Sequence, residues 1–143
     1  MTTTSASILV VEDHREIADL VRLHLHDAGY HASTVGDGRT ALASIRSSRC
    51  DLVILDLMLP DMDGFSICEI LRCQPSTADI PVIFLTAMAG EIPRLHGFEV
   101  GATDYCVKPI RTRDLRDRVK NILEAKAAKL SAAEAETANA GLA

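Results

Sequence analysis

Five positions in this sequence have side chains that can do chemistry together: Glu12, Asp13, Asp56, Thr86 and Lys108. Each lies just after an apolar run or at its end: Ile8-Leu9-Val10-Val11, Leu52-Val53-Ile54-Leu55, Ile80 to Leu85, and Tyr105-Cys106-Val107. Three carboxylates brought together repel and call for a cation. Ligands that are all oxygen, with water and phosphate completing an octahedron, suit Mg²⁺ better than a softer metal. Glu12, Asp13 and Asp56 are the candidates to hold it. With Mg²⁺ and the Lys108 ammonium cancelling negative charge, Asp56 can attack phosphorus and form an acyl phosphate, and the Thr86 hydroxyl can bond a phosphoryl oxygen. Each residue also has a plainer role: Asp13 as a helix cap, Glu12 as a solvated acid, Thr86 as a strand-end cap, Lys108 as surface charge. That acid, acid, hydroxyl and lysine should all end different strands favours the chemical reading.

The elements that must position these residues are legible in the hydrophobic pattern. Asp51-Leu52-Val53-Ile54-Leu55-Asp56 is apolar throughout between two aspartates, the profile of a central strand buried on both faces. Leu57 to Gly64 reads as loop, because Pro60 cannot donate to a ladder and Asp63-Gly64 favours a turn. Ile8 to Val11 is a second buried strand. Ile17, Leu20, Val21, Leu25 and Ala28 then recur at helical spacing, with Asp13 placed to cap the helix and Gly29 to stop it.

Tyr30 to Val35 is a more polar strand nearer an edge, followed by a short helix with Ala41, Leu42 and Ile45. Phe65, Cys68 and Leu71 mark a helix that Gln74-Pro75 terminates. A fourth strand, Ile80 to Leu85, tolerates Pro81 near its start and ends in Thr86. The fourth helix, between Ala87 and Val100, is weakened by Gly90, Pro93 and Gly97. Thr103 to Val107 makes the fifth strand, and Leu115, Val119, Ile122 and Leu123 form the last apolar stripe. Alternating strands and helices predict an α/β fold, a doubly wound five-stranded parallel sheet with helices on both faces and right-handed crossovers. In such a sheet all carboxyl ends share one edge, where ligands bind.

At 143 residues, 48% hydrophobic and 24% charged, the chain suits one globular domain. Residues 1–7 are expected to be a flexible leader, 8–124 the domain, and 125–143 an Ala-rich, partly helical tail too weak in heptads for a coiled coil. Fifteen Lys and Arg against 20 Asp and Glu give a formal charge of −5, the wrong sign for gripping a phosphate backbone. No direct nucleic-acid contact is expected. No apolar run approaches the ~20 residues that span a bilayer, and Met1 to Ser7 lacks the regions of a secretion signal, so the expected location is cytoplasmic, without a membrane role. Cys50, Cys68, Cys73 and Cys106 show no paired-ligand spacing and read as free thiols. His14, His24, His26, His31 and His96 lack metal-ligand spacing on one helical face and read as solvated or partly packed.

From Ile8 to Glu124 the chain resembles the receiver domain of two-component response regulators, chemotaxis-regulator-like in kind. Val11-Glu12-Asp13 resembles the family's acidic pair, Asp56 its phosphoacceptor, and Leu59-Pro60-Asp61-Met62-Asp63-Gly64 its following loop. Thr86-Ala87 resembles its switch hydroxyl, Lys108-Pro109 its lysine with a cis proline, and Gly101-Ala102-Thr103-Asp104-Tyr105 matches as well.

The resemblance implies a sheet order of 2-1-3-4-5 and Mg²⁺ bound by Asp13, Asp56 and the Met58 carbonyl, with Glu12 assisting through water. It implies phosphate donated by a histidine kinase or histidine phosphotransfer protein. The domain would be regulatory, with only self-catalysed phosphorylation and dephosphorylation. A downstream protein would bind the face made by the fourth helix, fifth strand and fifth helix, and a phosphorylation-dependent homodimer is a further expectation. Tyr105 has two readings, switch aromatic and simple core packing. The chain is either a stand-alone regulator or a receiver cut from a larger protein.

Rival classes are weaker. A flavodoxin-like cofactor binder receives phosphate on backbone donors after the first strand, where Glu12-Asp13 would repel it. A docking module independent of phosphorylation is the alternative function, and it would be favoured by a lost site residue; none is lost. A small-molecule phosphotransferase would favour a second acid two residues after the nucleophile, where this chain has Met58. Met58 and Met88, two residues after the phosphoacceptor and the switch threonine, would flank the path of attacking water in the family.

Overall fold

The computed structural model describes residues 5–142; positions 1–4 of the expected leader, and Ala143, lie outside the described residues. Five strands, β1 (Ser7–Val11), β2 (His31–Val35), β3 (Leu52–Leu55), β4 (Val82–Thr86) and β5 (Asp104–Val107), form one sheet in the order β2-β1-β3-β4-β5. Every pairing is parallel, as the all-apolar strands predict. The helices α1 (Arg15–Asp27), α2 (Gly38–Ser47), α3 (Gly64–Cys73), α4 (Glu91–Glu99) and α5 (Thr112–Leu142) fill the connections and follow the last strand. Pro81 stands just outside β4, so its missing N–H removes no bond from the ladder.

Side chains alternate across the sheet. Leu9, Val11, Val53, Leu55, Val82, Phe84 and Tyr105 pack with Ala41, Ile45, Ile67, Cys68 and Leu71 of α2 and α3. Ile8, Val10, Leu52, Ile54, Ile83, Leu85 and Cys106 pack with Val21, Leu25, Leu115 and Val119 of α1 and α5. All four residues of β3 are buried, which is why that run carries no polar residue. Burial of each such side chain contributes about 1.5–3 kcal/mol before conformational entropy is counted.

The helix starts differ from the sequence reading in two places. Asp13 does not cap α1; His14 occupies the N-cap, and no side chain bonds there. Asp63 is a helix cap rather than a turn former: its carboxylate accepts from the Ser66 amide at 2.8 Å. Asp37 caps α2 through the Thr40 amide at 2.7 Å. Asp61, in the loop after β3, adds a second acceptor, taking the Gly38 amide at 2.8 Å and the Arg39 amide at 3.0 Å. These two amides hold its carboxyl below the usual range and tie the loop to α2.

Pro93 lies in the first turn of α4, where an N–H has no partner to lose. Leu20, counted on the buried stripe of α1, faces solvent instead. The last helix runs as one element to Leu142, well past Glu124, with an exposed surface over most of that extension. All four cysteines are free thiols.

Arg72 of α3 fastens the far side of the sheet, donating to the Gly101, Ala78 and Ile80 carbonyls at 3.0, 3.1 and 2.6 Å. Near the strand ends, Gly64 is pressed against the chain leaving β3. Its amide donates to the Leu57 carbonyl at 2.9 Å, and a Cβ would meet the Asp56 carbonyl oxygen at 2.5 Å. The atoms it would meet are all backbone of Asp56 and Leu57, with nothing flexible to give way. Gly64→Ala should therefore lower stability by about 1–3 kcal/mol, read as a reduced urea midpoint; an unchanged midpoint would mean that the loop yields.

Candidate functional site

The ladder hydrogen bonds run one residue past three strands. Glu12 N donates to Val35 O at 3.0 Å, Asp56 N to Val11 O at 3.0 Å, and Lys108 N to Thr86 O at 2.8 Å. These residues therefore keep the alternation of their strands and follow Ile8 and Val10, Leu52 and Ile54, and Cys106 toward the same side. Their side chains meet. The Lys108 ammonium donates to Asp56 Oδ2 at 3.0 Å and to Glu12 Oε1. The Lys108–Pro109 peptide is cis, as expected.

Both carboxylates are buried: the Glu12 side chain is 4% exposed and that of Asp56 5%, against 18% for Lys108. The protonation balance follows from burial and partners. Burial pushes the Glu12 carboxyl up, and the Lys108 ammonium offsets this only in part. Burial also opposes ionisation of Asp56, but the Lys108 ammonium and the Met58 amide, 3.2 Å from Oδ1, outweigh it and hold that carboxyl below its usual range. For Lys108 burial works against the charge, and the two acids more than compensate, so the ammonium is held charged. An ionised, fixed Asp56 beside a cation is the state a carboxylate nucleophile needs.

Asp13 lies apart from this trio, 36% exposed, with Oδ1 3.4 Å from His14 Nδ1. Among the described residues, the close set of metal-type ligand atoms is Glu12, Asp13 and His14, all within 4.8 Å of one another. Asp56, expected to share an ion with Glu12 and Asp13, is outside that set and engaged with Lys108. Spacing on a helix does not point to His14; its place directly after the acid pair does.

Thr86 ends β4 on the other side of the sheet's alternation, with Val82 and Phe84, and is fully buried. Its Oγ1 accepts from the Met88 amide at 3.2 Å. The Met88 carbonyl in turn accepts from the Tyr105 hydroxyl at 2.6 Å. The Tyr105 ring is buried beside Phe84, centroids 6.0 Å apart, and against Gly97 of α4, where a Cβ would come within 3.0 Å of it. The ring thus packs in the core and bonds the loop after Thr86 at once.

A groove of about 410 Å³ between α1 and α5, lined by Leu20, Val21, Leu85, Ile110 and Leu115, opens beside Lys108. Among the described residues no helix is long and apolar enough to cross a membrane.

Lys108→Met tests the charge balance. In the wild type the lowered Asp56 contributes stability that is present above its unfolded value of 3.8 and is lost as pH falls through the folded one. Without the ammonium, burial, the largest influence on both acids, loses its main counterweight, so ionising either becomes less favourable in the folded state. Urea midpoints from about pH 4 to 7 should fall with rising pH in the variant relative to wild type. Parallel profiles would show that Lys108 does not govern the pair.

The family model of the response regulator receiver domain matches residues 8–120. The chain is 44% identical over 117 residues to the sensory transduction protein RegX3 of Mycolicibacterium smegmatis, covering 82% of this chain and 50% of that protein. It is 38% identical over 120 residues to the DNA-binding response regulator MtrA of Mycobacterium tuberculosis, covering 84% and 51%. The chain thus spans about half the length of these curated relatives. The solved structure of the chemotaxis response regulator CheY4 of Vibrio cholerae superposes with a TM-score of 0.79 at 34% identity, over 83% of this chain and 99% of that one. Strand order, the acid–lysine cluster and these likenesses agree: the chain belongs to the response regulator receiver domains of two-component signalling.

Proposed function

We propose that this chain is the phosphoacceptor of a two-component or phosphorelay pathway, with Asp56 taking a phosphoryl group from a phosphohistidine on a histidine kinase or phosphotransfer protein. The observation that carries the reading is the Lys108 ammonium fixed between two buried carboxylates where the strands end. A carboxylate oxygen of Asp56 attacks phosphorus in line. The bond from phosphorus to the donor imidazole breaks, and the imidazole keeps that electron pair and takes a proton from solvent.

Glu12, Asp13, Asp56 and the Met58 carbonyl would hold Mg²⁺, which when bound neutralises the incoming phosphoryl oxygens. The donor set fits, being oxygen-rich and short of positive charge. Lys108 orients Asp56 and stays charged as phosphate arrives. The apolar groove beside it supports docking of the donor.

Phosphorylation adds about −1.5 to −2 charges. Drawing the Thr86 hydroxyl to a phosphoryl oxygen would release the Met88 amide it now accepts from, and would disturb the Tyr105 bond to the same residue. Exposed Ile92, Leu95, Phe98 and Val107 on α4 and β5 support that face as the one a downstream protein or a second copy reads. In an arrangement like MtrA, contact with DNA would belong to an output domain, not to this acidic chain. The setting for such a pathway is the cytoplasm.

Intact mass after incubation with Mg²⁺ and acetyl phosphate should rise by one phosphoryl group, and Asp56→Asn should abolish the rise. Labelling of the variant at full rate, or phosphate on another residue, would remove Asp56 from its role. The lifetime of the product gives a second test. Met58 is about half exposed, and Met88 is held beside Thr86. Thioethers are poor hydrogen-bond acceptors and cannot orient an attacking water, so self-catalysed hydrolysis should be slow. Met58→Asn and Met88→Glu should each speed decay after donor removal at equal Mg²⁺; unchanged or slower decay in both would place the control of water elsewhere.

A further inference from the structure

Asp61 is an exposed aspartate whose two oxygens are nonetheless both engaged: Oδ1 accepts from the Gly38 amide at 2.8 Å and Oδ2 from the Arg39 amide at 3.0 Å. Helix α2 already has a cap of its own. Asp37 takes the Thr40 amide at 2.7 Å and the Thr40 hydroxyl at 2.9 Å. What the second pair of bonds adds is a fixed position for the loop that Asp61 belongs to.

That loop carries part of the site. Met58, three residues before Asp61, gives its amide to Asp56 Oδ1 at 3.2 Å and pairs across the loop with Asp63. The Gly64 amide closes the loop on the Leu57 carbonyl at 2.9 Å. Residues 57 to 64 are therefore one braced turn, and its outer side is seated on α2. Met62 lies over Gly38, where a Cβ would come within 2.3 Å of the Met62 Cγ. The chain entering α2 also passes the other two acids, since a Cβ on Gly36 would stand 3.9 Å from Asp13 Cα and from the Glu12 carbonyl oxygen. The start of α2 thus adjoins both loops that carry site residues.

Resting on the proposed phosphoacceptor function, we infer that Asp61 is a positioning residue for it. By anchoring the loop after β3 to the start of α2, it sets where the Met58 backbone lies, and with it the orientation of Asp56 and the carbonyl offered to the divalent cation. Two charge-assisted bonds to successive amides fix both the place and the rotation of the chain. Reacting groups must be held to within about 0.5 Å, so a loop freed on its solvent side loses the geometry while the fold survives.

Asp61→Ala, Asp61→Asn and Asp37→Ala are compared with wild type by calorimetric titration with MgCl₂, by the rate of Asp56 labelling from acetyl phosphate at saturating Mg²⁺, and by urea midpoint. Asp37→Ala is the control: it removes the same charge and a cap from the same helix, but its bonds go to Thr40 and not to the loop. Both alanine variants should lower the urea midpoint. Asp61→Ala should in addition weaken Mg²⁺ binding and slow labelling by about tenfold each. Asp61→Asn, which keeps one acceptor oxygen, should fall between it and wild type, and it carries the comparison where the alanine variant does not fold. Asp37→Ala should stay within about twofold of wild type in both affinity and rate, as expected of an independent site. Folded Asp61 variants with wild-type Mg²⁺ affinity and labelling, or a loss in Asp37→Ala as large as that in Asp61→Ala, would overturn the inference and leave Asp61 a helix cap only. Wild-type labelling at Asp56 that persists in that event leaves the phosphoacceptor reading standing. A wild type that neither binds Mg²⁺ nor is labelled brings down that reading and the inference with it.

Discussion

An ammonium held between two buried carboxylates is the interaction on which the rest of this site depends. Neither acid could be buried and ionised alone, because desolvation of a lone carboxylate costs several kcal/mol or more. Lys108 makes ionisation tolerable for Asp56 and only partly so for Glu12. The sheet order explains why a lysine is needed. β5 is separated from β3 by β4 and from β1 by two strands, so the cation must reach over at least two spacings of about 4.8 Å each. A four-carbon stem, aimed by a backbone still bonded to Thr86 O, covers the larger part of that distance, and the Glu12 and Asp56 side chains cover the remainder from their own strand ends.

The alternation of side chains divides the strand ends into two sets. Glu12, Asp56 and Lys108 continue the side packed on α1 and α5, whereas Thr86 and Tyr105 belong to the side packed on α2 and α3. The acid–lysine cluster and the Thr86–Tyr105 pair are thus placed on opposite parities of one sheet edge. The link between them is the chain after β4: Met88 gives its amide to Thr86 and its carbonyl to Tyr105. Gly97 matters for the same reason, since any side chain there would press on the Tyr105 ring that completes this link.

Much of this was legible in the residues. Runs with no polar member gave the buried strands, and the types that follow those runs pointed to Glu12, Asp56 and Lys108, which the fold brings together, while Thr86 ends its strand on the other face. What escaped has identifiable physical causes. Asp63-Gly64 has the same signature as a turn and as a capped helix start, and only the Ser66 amide decides between them. Pro93 weakens a helix interior but is harmless in a first turn, so its meaning depends on a boundary that composition does not fix. Asp61 caps a helix that begins 23 residues earlier, a pairing with no local trace in the sequence. Leu20 has the right spacing for burial but lies on the open rim of the groove between α1 and α5.

The charge count at the strand ends bears on the order in which the parts must act. Three carboxylates against one ammonium leave two negative charges without a partner, and a phosphoryl group brings about −1.5 to −2 more. Lys108 alone is therefore insufficient, because its single charge is already shared by Glu12 and Asp56. On the proposed function a divalent cation would restore balance before the anion arrives, and Asp13, the more exposed of the three acids, would be the side on which it enters. Lysine and cation are thus not interchangeable here. The lysine is a permanent part of the fold, holding Asp56 in its ionised state, whereas on the proposed function the cation would be the variable part that lets an anion approach it.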